Sequence, residues 1–335
     1  MKSKLRSRLF RSLIAATAVA VLALDASAQT QTPVAIGVSS LSVPGGIARI
    51  AKEMGLYEKH GLDAKVMPMD NSSVVLGGLV SGSLQFGTSA ANEVIVAQAR
   101  GQDIVAINSL YTGFSGVIVL SKVVADKLGV SAKAPVAERL KALDGLVIAA
   151  TGPSSSFVFA MRPATETVGA KVRFTYMAQA AMVSALESGA IQGFIASAPF
   201  YAYPVLKGNG VIWIDGPKGE FPREYSPPSA IGVNTTRAYA EANPDIVRRM
   251  RAVFSDFAAA VKDRPNDVKA AIGRLFPNLD GPTLDIVFDS ESKSFAARAL
   301  TVEDVSKEIN FAKTSGANLG DLDRIDPSRI MYDKN

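Results

Sequence analysis

Two seven-residue stretches 107 positions apart, Leu79-Val80-Ser81-Gly82-Ser83-Leu84-Gln85 and Leu186-Glu187-Ser188-Gly189-Ala190-Ile191-Gln192, follow one pattern. Each reads as a helix end, a glycine suited to the left-handed position that follows, and the entry to a strand. Each then runs on to a Ser-Ala pair, Ser89-Ala90 and Ser197-Ala198, that opens another helix. A unit used twice in this way constrains the chain to two similar α/β halves, each with helices laid on a sheet.

The hydrophobic periodicity agrees. Around the first copy, short apolar runs at 34–38, 64–67, 84–87 and 104–107 read as strands. Between them lie helical patterns opened by Pro44, with Ile47, Ile50, Ala51 and Met54 on one face, and then at 72–81 and 91–100. Around the second copy, strands are predicted at 146–150, 172–175, 192–195 and 211–214, with helices at 154–168 and 178–187. This alternation predicts an α/β fold with a mostly parallel sheet in each half. After a strand near 230–233 the pattern is almost wholly helical. A long helix starts at Asn243-Pro244 and carries Ile246, Val247, Met250, Val253, Phe254, Phe257 and Val261; Pro265, Pro277 and Pro282 punctuate shorter ones before a last helix at 301–314. Helices without a sheet of their own must cover an existing one, and the first half is the expected partner.

Residues 1–28 stand apart. Lys2, Lys4, Arg6, Arg8 and Arg11 form a basic run without an acid, followed by an apolar stretch at 13–24 and the small-x-small triplet Ala26-Ser27-Ala28. Twelve apolar residues rise about 18 Å as a helix, short of the roughly 30 Å hydrocarbon core, so a cleaved secretory signal peptide is expected here. Arg8 and Arg11 are not adjacent, which favours ordinary secretion over the twin-arginine route. The segment also carries the apparent basicity. The chain holds 36 basic and 31 acidic residues; without residues 1–28 it holds 31 and 30, a net charge of +1. Nothing then points to a nucleic-acid-binding surface. With no cysteine there is no disulfide and no lipidated N-terminal cysteine, so a freely diffusing, monomeric periplasmic protein is expected.

Ligands of open parallel sheets sit beyond the carboxyl ends of the strands, near helix starts. In the first half those loops hold Ser39, Ser40 and Ser42, then Asn71, Ser72 and Ser73 after Asp70, then Thr88 and Ser89; Thr112 lies at the crossing between halves. In the second half they hold Thr151, Ser154, Ser155 and Ser156, then Gln179, then Ser197 and Pro199. Hydroxyls and free backbone N–H groups at helix starts suit a small organic anion, a carboxylate or a sulfonate, with 151–156 as the expected seat of its charged end. Tyr111, Phe114, Phe200, Tyr201 and Tyr203 lie next to these loops and are candidates to face an aromatic or planar ligand. Asp70, the one acid of these loops, reads as a helix cap, with a contact to a ligand amine as the alternative; Arg223 reads as a solvent-exposed partner of Glu224 or Glu220, with a reach over the cleft as the alternative.

Enzyme chemistry finds little support. The single histidine, His60, lies between Lys59 and Gly61 in a predicted surface turn, so a Ser-His-Asp relay lacks its base. One histidine and no cysteine do not furnish a zinc site. There is no G-x-S-x-G, P-loop or G-x-G-x-x-G motif. No catalytic residue, metal or cofactor is expected.

Several segments carry a resemblance. Ile47-Ala48 followed by Glu53-Met54-Gly55-Leu56-Tyr57-Glu58-Lys59-His60-Gly61-Leu62-Asp63 is similar to a conserved segment of the nitrate/sulfonate/taurine-type substrate-binding proteins of ABC importers, a group that includes thiamine-precursor binders. Leu79-Val80-Ser81-Gly82, Ala99-Arg100-Gly101, Leu143-Asp144-Gly145-Leu146-Val147-Ile148, Ala185-Leu186-Glu187-Ser188-Gly189 and Asn243-Pro244-Asp245-Ile246-Val247 add to it, from about Pro33 to Phe311. Gln85 and Gln192 stand where that family commonly has Asp. The resemblance implies a two-lobed type II periplasmic-binding-protein fold. Lobe 1 would span 33–113 plus 233–335 and lobe 2 116–229, with crossovers near 111–117 and 228–233. It also implies that the lobes close on a small molecule and deliver it to a membrane permease with its cytoplasmic ATPase. A periplasmic sensory clamp and a binder of neutral thiamine-precursor-type heterocycles are the alternatives. Yeast-type thiamine-pyrimidine synthases share the fold but use a histidine and a cysteine-rich segment, and this chain has no cysteine.

Overall fold

The computed structural model describes residues 31–69, 71–226, 229–314 and 319–334. The signal peptide read at 1–28 and the cap read at Asp70 lie outside them. Pro33–Asn335 forms one compact unit. Strand β1 (Thr32–Val38) leads into α1 (Ile47–Glu53), the single turn α2 (Leu56–Lys59), β2 (Leu62–Pro68), α3 (Ser72–Val80), β3 (Phe86–Ser89), α4 (Ala91–Ala99) and β4 (Ile104–Thr112). The chain then crosses to β5 (Val117–Ser121), α5 (Lys122–Lys127), α6 (Val136–Lys141), β6 (Val147–Ala150), α7 (Ser156–Thr167), β7 (Arg173–Tyr176), α8 (Gln179–Glu187), β8 (Gly193–Ala196), α9 (Ala202–Leu206) and β9 (Gly210–Asp215). It returns with β10 (Ser229–Thr236), followed by α10 (Arg237–Ala242), α11 (Pro244–Asp263), α12 (Pro265–Leu275), α13 (Gly281–Glu291), β11 (Phe295–Arg298), α14 (Val302–Thr314) and α15 (Pro327–Ile330).

Among the described residues these strands make two sheets, in the order β11-β4-β10-β3-β1-β2 and β7-β6-β8-β5-β9. Both sheets are mixed: β10 and β11 in the first and β5 in the second run against neighbours that share one direction. Strand β1 runs parallel to β3, and β6 runs parallel to β7 and β8. The antiparallel pairs have a common cause. Strand β5 enters the second sheet at the end where β8 and β9 finish, with Val117 opposite Ala196 and Asp215. Strand β10 re-enters the first sheet where β3 and β4 finish, with Gly232 opposite Ser89 and Ser229 opposite Thr112. A chain that steps directly between the carboxyl ends of two sheets must run back along the strands it meets. Both crossings therefore lie at the ends where ligands bind in such sheets.

The helices of the C-terminal third cover the first sheet, for the reason their sequence gives. Pro244 opens α11, and Val247, Met250, Val253, Phe254, Phe257 and Ala260 are buried at spacings of three and four. Phe257 meets Phe295 of β11 at 5.5 Å between rings, and Phe254 meets Tyr57 of α2 at 6.3 Å. Each buried phenylalanine contributes about 1.5–3 kcal/mol. Helix α14 also reaches the other half, where Phe311 packs on Phe159 of α7 at 6.2 Å. Two strands escape the sequence pattern: β5, whose first residue was read as part of the crossing, and β11, a Phe-Ala-Ala-Arg edge strand without a β-branched residue. No helix of the described residues is long and apolar enough to cross a membrane.

Candidate functional site

The carboxyl ends of the two sheets face one another across a cleft of about 730 Å³. Its walls are the loops that follow β1, β2, β3, β6, β7 and β8, with Ser115 of the first crossing and Ile231 of β10 between them. Helices α3, α4, α7 and α8 begin at this space, and the first-turn N–H groups of a helix lack intrahelical carbonyl partners. The aligned peptide dipoles make each such end the equivalent of about half a positive charge. Among the described residues the lining contains no lysine and no arginine.

Twelve of the residues read from sequence line this cleft: Ser39, Ser40, Ser42, Asn71, Ser72, Ser73, Thr151, Ser154, Ser155, Ser156, Gln179 and Ser197. Their hydroxyls and amides are not equally free. The Ser155 Oγ accepts from Val158 N–H at 3.4 Å and donates to the Gly152 carbonyl at 2.9 Å, so it caps α7. The Asn71 side chain caps α3 by accepting from Val74 N–H at 3.1 Å. Ser40 and Ser42 are bonded to each other at 3.0 Å, and Ser42 also accepts from Gly45 N–H at 3.1 Å. Gln179 is buried, accepts from Ser197 N–H at 2.7 Å and donates to Ser40 Oγ at 3.0 Å. Ser154 and Ser156, by contrast, flank the cap with hydroxyls that hold no protein partner within hydrogen-bonding distance among the described residues.

Four other candidates do not line the cleft. Thr88 and Ser89 are buried inside β3, and the Ser89 Oγ accepts from Asn234 Nδ2 at 2.8 Å. Thr112 ends β4 and donates to the Ser294 carbonyl at 3.3 Å, on the side of β11. Pro199 only carries the chain between Ser197 and Phe200, which do line the space. Of the aromatic candidates Phe200 reaches the cleft, joined by Phe157 and Tyr176. Tyr111 is buried against Phe295 and donates to Glu291 Oε2 at 2.5 Å, and Phe114 packs on Phe157 and Phe221. Arg223 lies on an exposed turn, and Glu220 pairs with Arg139 at 3.0 Å instead. His60 sits in its turn, 2.9 Å from Asp256.

Sequence reasoning missed Glu93. It stands in the first turn of α4, lines the cleft, and its Oε2 accepts from Ala90 N–H at 3.0 Å. Burial is the main influence on its carboxyl, pushing the pKa up to about 7 against the opposing pull of Ser72 and the Ala90 N–H. The available signal was a glutamate three residues after the helix start, half of a capping box.

Four bonds join the walls across the cleft and the crossing beside it. Asn92 Nδ2 donates to the Ser154 carbonyl at 3.1 Å, Gln179 Nε2 to Ser40 Oγ at 3.0 Å, and Val43 N–H to the Ala198 carbonyl at 2.6 Å; Ser115 and Ser197 share a hydrogen bond at 3.0 Å.

The family model described as NMT1-like matches residues 27–273. A binding protein of Brucella abortus (strain 2308) is 27% identical over 293 residues, covering 85% of this chain and 82% of its own. Among solved structures, a protein from Bordetella bronchiseptica RB50 is similar with a TM-score of 0.75 at 20% identity, covering 90% of this chain and 95% of that one. The alkanesulfonate-binding protein SsuA from Xanthomonas axonopodis pv. citri, bound to MOPS, is similar with a TM-score of 0.71 at 16% identity, covering 90% and 98%. The fold is that of the periplasmic binding proteins.

Proposed function

Because the chain belongs to the NMT1-like family, we propose that it is the periplasmic solute-binding component of an ABC importer, which captures a small organic anion and releases it unchanged to a membrane permease. The lobes would be 33–113 plus 233–335 and 116–229, hinged at the crossings near 111–117 and 228–233, with a signal peptide removed near residue 28. The observation that carries the reading is the meeting of four helix starts and a set of hydroxyls from both sheets on one cleft that, among the described residues, no basic side chain lines. Such donors hold a carboxylate or sulfonate through charge-assisted hydrogen bonds worth about 1.5–3 kcal/mol each, and each helix end adds about 0.3–1 kcal/mol. The relatives support the same reading: one is named as a binding protein, and a structural neighbour holds MOPS, itself a sulfonate.

The test is native mass spectrometry of protein taken from osmotic-shock fluid without unfolding. An acidic small molecule should be retained, and adding it back to stripped protein at 100 times Kd should stabilise the fold by about 2.7 kcal/mol and contract its scattering profile. Retention of a cationic solute, or a rigid profile at saturation, contradicts the reading.

A further inference from the structure

Among the described residues, Glu93 is the one carboxylate lining a cleft that no lysine or arginine lines. Its place is fixed from two sides. Oε2 takes the Ala90 N–H, so α4 is capped from its own third residue, because Ala90 has no side-chain oxygen. Next to it, the Asn92 bond to the Ser154 carbonyl sets the first turn of α4 against the loop that starts α7. The carboxylate and the seat assigned to the anionic end of the solute therefore face the same space from opposite walls that this bond draws together. Two negative charges there, with no basic side chain between them, repel strongly. The repulsion disappears when the solute brings its own positive charge.

Resting on the solute-binding reading above, we propose that Glu93 is the residue that sets the charge type of the solute. The cleft takes a small zwitterion whose ammonium group meets the Glu93 carboxylate while its acidic end meets the start of α7. The charge balance of the cleft supports this, since the helix ends supply partial positive charge for one pole and Glu93 supplies the negative charge for the other. Burial pushes the Glu93 carboxyl up to about 7, and an adjacent ammonium favours its ionised form.

The experiment compares matched probes that differ only in the ammonium: β-alanine with propionate, γ-aminobutyrate with butyrate, and 3-aminopropanesulfonate with propanesulfonate. Each is titrated calorimetrically at pH 7.5 into wild-type protein and Glu93→Gln, whose amide oxygen still accepts from Ala90 N–H. We expect at least one amino acid to bind wild type ten times more tightly than its partner, and the variant to lose that preference at a melting temperature no lower than that of wild type. Equal binding of both members of a pair, or a preference that survives in the variant, overturns the proposal. If no probe binds, the solute retained in native mass spectrometry decides. A retained acid with an amine, weakened tenfold by Glu93→Gln, upholds the proposal, and a retained acid without a cationic group sinks it while leaving the solute-binding reading intact. With no retained solute and no binding probe, both fall.

Discussion

Gln85 and Gln192, 107 positions apart, make the same pair of bonds in two different sheets. The Gln85 Oε1 accepts from Ala35 N–H at 2.9 Å while its own N–H donates to the Ala35 carbonyl at 3.0 Å. Gln192 does the same with Val147, at 2.8 and 3.0 Å. Each glutamine follows a left-handed glycine, Gly82 or Gly189, both at φ 77°, and fastens the start of one strand to its parallel neighbour. The likeness of the two halves is thus structural, and the departure from Asp at these positions keeps an acceptor where a strand N–H needs one.

Removing that acceptor should cost about 1 kcal/mol at each site, because a strand-end N–H is left without its partner. Gln85→Ala and Gln192→Ala lie in separate sheets and should be additive in the double variant. Urea unfolding measures this, and a loss well beyond the sum would show that the two halves are coupled through these residues.

Much of this arrangement was legible in the residues. Strong period-2 and period-3.6 runs located most strands and helices, and the rule that ligands meet strand carboxyl ends located twelve cleft residues. The misses trace to strand ends. Strand β3 was read as 84–87 but runs Phe86–Ser89, so Thr88 and Ser89 belong to the sheet. Strand β4 was read to 107 but runs to Thr112, which carries that hydroxyl away with it. Periodicity reports which face is buried, not where the ladder stops, since that depends on partners far along the chain. The direction of β5 and β10 had the same origin: it follows from the crossings, which leave no trace in local pattern.

The serines at the start of α7 should separate by role. Ser154→Ala with Ser156→Ala removes two cleft hydroxyls that hold no protein bond, so it should weaken solute binding at least tenfold and leave the unliganded melting temperature unchanged. Ser155→Ala removes the cap and should cost about 0.5–2 kcal/mol of stability. Calorimetry paired with thermal melts tests both, and unchanged affinity in the double variant would mean that the helix start does not hold the solute.

Stability should fall as the pH rises from about 4.5 to 7. Glu291 is fully buried, and burial pushes its carboxyl up to about 7, against the hydrogen bond from Tyr111 and with the help of Asp215. A carboxyl with a raised pKa keeps its proton in the folded state over a range where the unfolded chain has lost it. Its contribution to stability is therefore largest at the acidic end of that window and gone above it, by up to roughly 3 kcal/mol for one such group. Glu93 adds to the slope in the same sense. Asp304, held low by Arg298, and Asp256, held low by Lys59, lose their stabilising effect only as the pH drops below the ordinary carboxylate range, so they do not cancel it. Urea midpoints at pH 5 and pH 7.5 should show the fall, and Glu291→Gln should flatten part of it. A slope unaltered by that substitution would place the titration elsewhere.

The bond from Asn92 to the Ser154 carbonyl should act as a latch for the closed form. Asn92 lies on α4 of the first sheet's half, is fully buried, and reaches a backbone oxygen of the opposite wall at 3.1 Å. A bond between the walls exists only while they are together, so its free energy weights the closed state and nothing else. The oxygen of the same amide, Oδ1, is buried without a partner among the described residues, and that cost limits the net gain to the lower part of the usual range. Asn92→Ala should therefore shift the closed population by about 0.5 kcal/mol, which lowers apparent affinity roughly twofold if the closed form is the competent one. Ser154→Ala keeps the carbonyl and hence the latch, so the two substitutions act separately and their effects on affinity should multiply. Small-angle scattering of the unliganded protein supplies the independent readout. Asn92→Ala should be more extended than wild type without ligand and equal to it at saturation. An identical unliganded profile would show that the Asn92 bond is lost and regained without cost as the walls part.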